Sequence, residues 1–196
     1  MLEVLADRLK EHAACLLRSF QRADATDLPF RDYCFDMIVV VHVFHFVREW
    51  KRTVGELLRV LRDEGVLVLM HTGMGMKIPF VNDGYRAYCD AHGFPIDTLG
   101  VGSTQEVSSY LKEFGYAIDE VRNRWQWTSH IRLDEAISYV RNRSYSFTTT
   151  APDGLHSDAV RCVEAEASER FDSLTTEVSV PNQVYLVIVR KPFTQE

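Results

Sequence analysis

The chain has 196 residues, 46% of them hydrophobic, with 22 basic against 28 acidic side chains and a formal charge of −6. That length suits one globular unit able to bury about 70% of its unfolded surface. The Lys and Arg residues are scattered rather than striped, which argues against a nucleic-acid backbone as the principal ligand.

Leu2, Leu5 and Leu9 recur at three- and four-residue spacing with charges between them, which predicts an amphipathic helix over 1–14. No capping residue stands ahead of it, which fits a natural start upstream and fits an ordinary frayed terminus equally well. Residues 16–23 read as a short strand ending at Asp24. Residues 32–43 hold the near-continuous run Phe35, Met37, Ile38, Val39, Val40 and Val41, the pattern of a central parallel strand covered on both faces. Over 48–62, Trp50, Val54, Leu57, Leu58 and Leu61 repeat at helical spacing, and 66–70 is a second buried-type strand. Strand, helix and strand in this order predict a right-handed crossover.

Residues 72–102 are rich in glycine and carry Pro79 and Pro95, with Phe80, Tyr85, Tyr88 and Phe94 among them, so loop mixed with short helix is expected. Residues 105–114 read as a helix capped by Ser103 or Thr104 and stopped by Gly115. A strand is predicted over 117–127. Helices are predicted over 133–143, capped from 131–134, and over 156–171, preceded by Pro152, Asp153 and Gly154. In a final strand over 183–190, Val184, Leu186 and Ile188 alternate with Tyr185, Val187 and Val189. No repeat, low-complexity tract or linker divides the chain, which reads as a single α/β domain over 1–196. Cys15, Cys34, Cys89 and Cys162 lie far apart with no C-x-x-C spacing, and no signal peptide or membrane-length apolar span precedes them. They read as reduced thiols of a cytoplasmic protein.

A carboxylate at the carboxyl end of a parallel strand points into the crevice where open α/β sheets bind ligands. In the octapeptide ADATDLPF, residues 23–30, Asp24 holds that position, although a stretch rich in Asp, Thr and Pro also occurs simply as a turn. His42 and His45 could share a helix face, but no third ligand is spaced to join them, so no metal is expected. A packed or cap-bonded histidine is the plainer reading. His42 nonetheless falls at a strand end facing the crevice, where an imidazole near its unperturbed pKa can serve as general base. Gly73, Met74 and Gly75 lack the later glycine and the context of a phosphate loop. No Ser-His-Asp or paired-carboxylate arrangement is present.

The ordered series ADATDLPF, Phe35-Asp36, HVFHF at 42–46 and ELLRVLRDEG at 56–65 resembles the middle of a class I S-adenosylmethionine-dependent methyltransferase of the type 11 kind. The resemblance runs from residue 1 to about residue 69 and is loose beyond it. It implies a Rossmann-like methyltransferase sheet with helices on both faces and an antiparallel edge formed by the last two strands. The family's opening strand, glycine-rich turn and second strand are missing from the matched stretch, which implies an N-terminally truncated sheet. Its exposed apolar strand edges would invite homo- or hetero-oligomeric pairing.

The resemblance further implies S-adenosylmethionine as cofactor. Asp24 would accept from the adenine amino group and the N–H of Ala25 would meet a ring nitrogen, while Leu28, Pro29 and Phe30 fix the loop beside the base. Val41 or His42 would lie under the cofactor. Asp63, Glu64 and Gly65 stand where the family has a proline-glycine-glycine turn, and Gly65 is expected to supply its left-handed residue. The acceptor is expected to be a small molecule, its pocket or lid built from 72–182, with His71, Tyr85, Tyr88, Trp125, Trp127 and His130 as candidate walls. Methyl transfer from a sulfonium asks for positioning and desolvation more than for acid–base chemistry. The alternative is a non-catalytic remnant, an interaction protein or a truncated reading of a longer gene. A nicotinamide oxidoreductase shares the fold, but no dinucleotide fingerprint is present.

Overall fold

The computed structural model describes residues 21–73, 78–96 and 99–192. The helix expected over 1–14 and most of the strand expected over 16–23 lie outside the described residues. Strand β1 (Phe35–Val41) leads through a 3-10 turn (Phe44–Phe46) into helix α1 (Trp50–Val60) and then strand β2 (Leu61–Gly73). The two strands pair in parallel. The register slips between the Phe35–Leu61 and Met37–Val66 pairs, and Glu64 in the slipped stretch takes φ 61°. Glu64 therefore supplies the left-handed residue expected of Gly65. Gly65 is required for space instead, since a Cβ there would lie 2.7 Å from the Arg62 carbonyl oxygen and 2.8 Å from the Leu61 side chain.

Strands β3 (Ala117–Arg132) and β4 (Glu177–Arg190) complete the described sheet, in the order β1-β2-β4-β3. β4 is antiparallel to both its neighbours, giving the antiparallel edge that was anticipated. Both strands run longer than their sequence signals: residues 177–182 of β4, Pro181 among them, pair with β3, and among the described residues the last β2 pair is at Gln183.

Alternate residues of a strand point to opposite faces. On one face Val40, Leu67, Leu69, Tyr185, Val187 and Val189 pack against Val54 and Leu57 of α1 and Val107 and Leu111 of helix α3 (Thr104–Glu113). On the other face Met37 and Val39 are 59% and 55% exposed and Val41 is 41% exposed.

A second core is built by α2 (Pro79–Ala91), α4 (Leu133–Arg141) and α5 (Asp153–Arg170) around Val81, Tyr85, Ile137, Val140, Val160 and Val163, with Ile131 and Val180 from the β3–β4 extension. α2 is a continuous 13-residue helix where loop mixed with short helix was expected. Pro79 occupies its first turn, where a prolyl nitrogen forfeits no intrahelical bond. Val81, Tyr85 and Cys89 then share one buried stripe at i, i+4 spacing. Tyr85 is fully buried, and its hydroxyl lies 2.8 Å from Nδ1 of His156. Nε2 of His156 donates to the Arg141 carbonyl at 3.1 Å, so Nδ1 accepts from the phenol and three helices are tied by one chain of bonds. Burial pushes the Tyr85 hydroxyl up to about 12 and so keeps it a donor.

The end of β4 is fastened to the end of α1 by Lys191. Its Nζ donates to the carbonyls of Leu58 at 2.9 Å and Leu61 at 2.8 Å, lies 3.5 Å from Asp63 and sits over the Tyr33 ring. These carbonyls belong to the last turn of α1, which lacks internal donors. Lys191→Met keeps the apolar stem and removes the donor, so it should destabilise the chain by about 1–3 kcal/mol. Thermal unfolding would register this as a Tm lowered by several degrees; an unchanged Tm would mean that water satisfies both carbonyls.

Candidate functional site

The turn 23–30 lies along α1, and the charge of Arg52 in the first turn of that helix acts on Asp24. α1 starts where β1 finishes, so Arg52 belongs to the end of the helix nearer the carboxyl end of β1. Oδ1 of Asp24 accepts from the Thr26 amide at 2.8 Å and from the Thr26 hydroxyl at 2.8 Å. Those two bonds, the amide first, hold the exposed carboxyl below its usual range, with burial opposing and Arg52 adding a smaller pull. Asp24 is therefore an ionised acceptor at neutral pH, with Oδ2 outside any hydrogen bond among the described residues. Ala25 follows it in the turn, half-buried.

The turn is held from the side by a carboxylate and a guanidinium three residues apart on α1. The Leu28 amide donates to Oε2 of Glu56 at 2.8 Å. Arg59 donates to both oxygens of Glu56, at 2.8 Å and 2.7 Å, and to the carbonyls of Phe30 at 2.8 Å and Leu28 at 3.0 Å. A further N–H reaches Asp32 at 2.6 Å. The Arg59 bonds, then the Leu28 amide, lower the Glu56 carboxyl to about 2. Phe30 meets Phe35 edge-on at 5.0 Å.

At the end of β1, Val41 is partly exposed and His42 takes φ 52°, an uncommon conformation for a residue with a Cβ. Nε2 of His42 accepts from the Thr72 amide at 3.2 Å and lies 2.7 Å from the Thr72 hydroxyl. An amide only donates, so the proton of the neutral ring is on Nδ1. The His42 ring packs 4.7 Å from His71 and 6.4 Å from His45. Among the described residues no group of three His, Cys, Asp or Glu side chains could hold a metal ion.

The aromatic candidates from 72–182 do not converge. Tyr85 is core, Tyr88 stacks on His92 at 4.1 Å, Trp125 and Trp127 are exposed on β3, and His130 faces Ser179. Only His71 adjoins His42. A shallow open cleft lies instead between His45, Phe46 and Leu99 on one side and Ser146, Phe147 and Thr149 on the other. Nothing in the sequence singled out its second wall, a short 3-10 turn (Ser146–Thr148) between two helices. Gly100 secures the first wall: its amide donates to the His45 carbonyl at 3.1 Å, and the Val101 amide donates to that of Phe44 at 3.2 Å. A Cβ on Gly100 would fall on the carbonyl oxygens of Phe44 and Val47.

Residues 1–69 match the family described as a methyltransferase domain. The demethylmenaquinone methyltransferase of Clavibacter sepedonicus is 32% identical over 120 residues, which are 53% of this chain and 49% of that relative. In three dimensions, 99% of the chain matches 79% of the YcgJ protein of Bacillus subtilis with a TM-score of 0.59 at 20% identity. A Bacillus halodurans protein provisionally named a methyltransferase matches over 89% of this chain and 78% of its own, with a TM-score of 0.52 at 15% identity. The chain has the class I methyltransferase fold. It spans about half or less of the length of the curated relatives it matches in sequence. Within this methyltransferase fold, the ends of β1 and β2 lie at the carboxyl end of the sheet, where open α/β sheets take their ligands, and the turn 23–30 runs along α1 from Asp24, near the Arg52 charge, to Phe30 beside the start of β1.

Two outcomes follow for this end of the methyltransferase fold. Glu56 has a folded-state pKa of about 2 against an ordinary 4.5, so its contribution is complete above about pH 4.5 and is lost as pH falls toward 2. The Tm difference between wild type and Glu56→Gln should therefore be constant from pH 6 to 5 and shrink below pH 4.5; a difference that grows on acidification would contradict this linkage. Gly100→Ala must push residues 99–101 off the turn at 44–46, and should cost about 2–4 kcal/mol in chemical denaturation.

Proposed function

We propose that this chain acts as an S-adenosylmethionine-dependent methyltransferase on a small-molecule acceptor. The observation that carries the reading is Asp24: a carboxylate kept ionised by Thr26, near the Arg52 charge, with Oδ2 left to accept from an exocyclic amine. The residues present suit the adenine end of the cofactor. Asp24 would take the amino group, the Ala25 amide a ring nitrogen, and the partly exposed Val41 an apolar face beside them. When bound, the cofactor supplies an activated methyl on a sulfonium, which asks the protein to orient the acceptor and exclude water.

The cleft fits the acceptor's side of that task. Phe46, Phe147 and Leu99 give apolar walls, and Ser146 and Thr149 bring hydroxyls, the usual composition of a small-ligand pocket. The Clavibacter relative is named for demethylmenaquinone, and two phenylalanine walls suit a flat ring with polar substituents. His42 contributes as a fixed wall of the strand end, its Nε2 held by the Thr72 amide. No helix among the described residues is long and apolar enough to cross a membrane. Cys34, Cys89 and Cys162 are free thiols, in keeping with a cytoplasmic setting, and the acidic net charge favours a small molecule over nucleic acid.

A second reading draws on a different observation. Met37, Val39 and Val41 are exposed on β1, an edge strand of the described sheet, and such an edge suits pairing with another polypeptide in an oligomer or interaction protein. Calorimetric titration with S-adenosylhomocysteine separates the two. Micromolar binding is expected, with Asp24→Ala weakened about tenfold. A folded chain that binds nothing, and sediments as an oligomer, would replace the enzymatic reading by the second.

A further inference from the structure

We infer that Glu56 and Arg59 are positioning residues of the adenine site, holding the turn 23–30 in the shape that presents Asp24; the ligand side of this inference rests on the cofactor reading above. The turn belongs to no regular element. Its own backbone bonds are local, from Asp27 to Asp24 and from Phe30 to Leu28. Every hydrogen bond from residues 24–30 to the rest of the described chain ends on these two side chains: the Leu28 amide on Glu56, and the Leu28 and Phe30 carbonyls on Arg59. The donor and both acceptors of the turn are thus met by one bidentate pair, whose members are also bonded to each other twice.

The chemistry of the pair explains why neither partner is replaceable by a look-alike. Both oxygens of Glu56 receive N–H donors, one from Leu28 and Arg59 together, the other from Arg59 alone. Glutamine has the same shape but must turn its amide NH2 toward one of those donors, leaving an N–H without an acceptor. Lysine at 59 keeps the charge but cannot fork toward Glu56, Leu28, Phe30 and Asp32 at once. Asp24 lies four residues from Leu28 on a turn with no other hydrogen bond to the rest of the described chain, only the Arg52 charge beside it. Loosening the pair therefore moves the acceptor meant for the adenine amine, while α1 itself keeps Val54, Leu57 and Val60 buried.

The pair could instead be a simple helix-surface ion pair, which would affect stability alone. Two measurements on the whole chain distinguish these roles. Amide hydrogen exchange of wild type and E56Q should show the Leu28 amide exchanging at least about tenfold faster in the variant, with α1 and β2 protection unchanged. Titration should show E56Q weakened about tenfold for S-adenosylhomocysteine and little changed for S-inosylhomocysteine, whose 6-oxo group cannot donate to Asp24. R59K, which keeps both charges, should fall between wild type and E56Q and serves if E56Q does not fold. Unchanged Leu28 protection in a folded variant overturns the inference whatever the ligands do, and so does an equal loss of affinity for both ligands. A wild-type chain that binds neither ligand sinks the cofactor reading instead, and the exchange result alone then decides whether the pair holds the turn.

Discussion

Helix α1 is the constraint on which the described site depends, because it is gripped from two sides by unlike forces. Its apolar stripe, Val54, Leu57 and Val60, is buried against the sheet, where removal of that surface from water favours a seated helix without fixing its finer contacts. Its polar side carries Glu56 and Arg59, whose directional bonds convert the seated helix into a mould for the turn 23–30. The turn has too few residues and too little apolar surface to define its own shape. Its geometry is borrowed from a rigid neighbour, which is the usual way a loop acquires the fixed shape that binding needs.

The molecule has two cores and one continuous element that enters both. β3 and β4 contribute Tyr185, Val187 and Val189 to the core beneath α1 and α3, and Ile131 and Val180 to the helical core of α2, α4 and α5. The second core has its own polar tie in Tyr85, His156 and the Arg141 carbonyl. The cleft lies between these bodies, one wall from each. Phe147 belongs to the helical core and also lines the cleft, so a change to that wall is felt in the core behind it.

Much of this was legible in the residues. Period-two and period-3.6 patterns identify β1, α1, β2 and the outer strands, since each has one face against a core. ADATDLPF marks the turn, since Asp and Thr readily bond their own backbone, as Asp24 and Thr26 do. α2 was hidden because Gly84 and Pro79 read as loop punctuation, although proline in a first turn and a Val81, Tyr85, Cys89 stripe are compatible with helix. Glu64 took the left-handed place read for Gly65 because the register slip sets the bend one residue earlier. The roles of Glu56 and Arg59 toward the turn were not legible, since the contacts span nearly thirty residues and the pair sits on a helix that periodicity alone explains. The 146–149 wall left no trace, for a cleft arises from how elements meet.

The stitching of Gly100 and Val101 to the turn at 44–46 has a mechanical consequence. Leu99, His45 and Phe46 form one piece of backbone, so no rotation of loop against loop can part them. Phe147 and its neighbours ride on the helical core opposite. The gap between these walls is therefore a coordinate of how the two cores sit on the β3–β4 ribbon, and a ligand that widens or narrows it must flex that ribbon, spreading the cost of accommodation over many weak contacts instead of one rotamer.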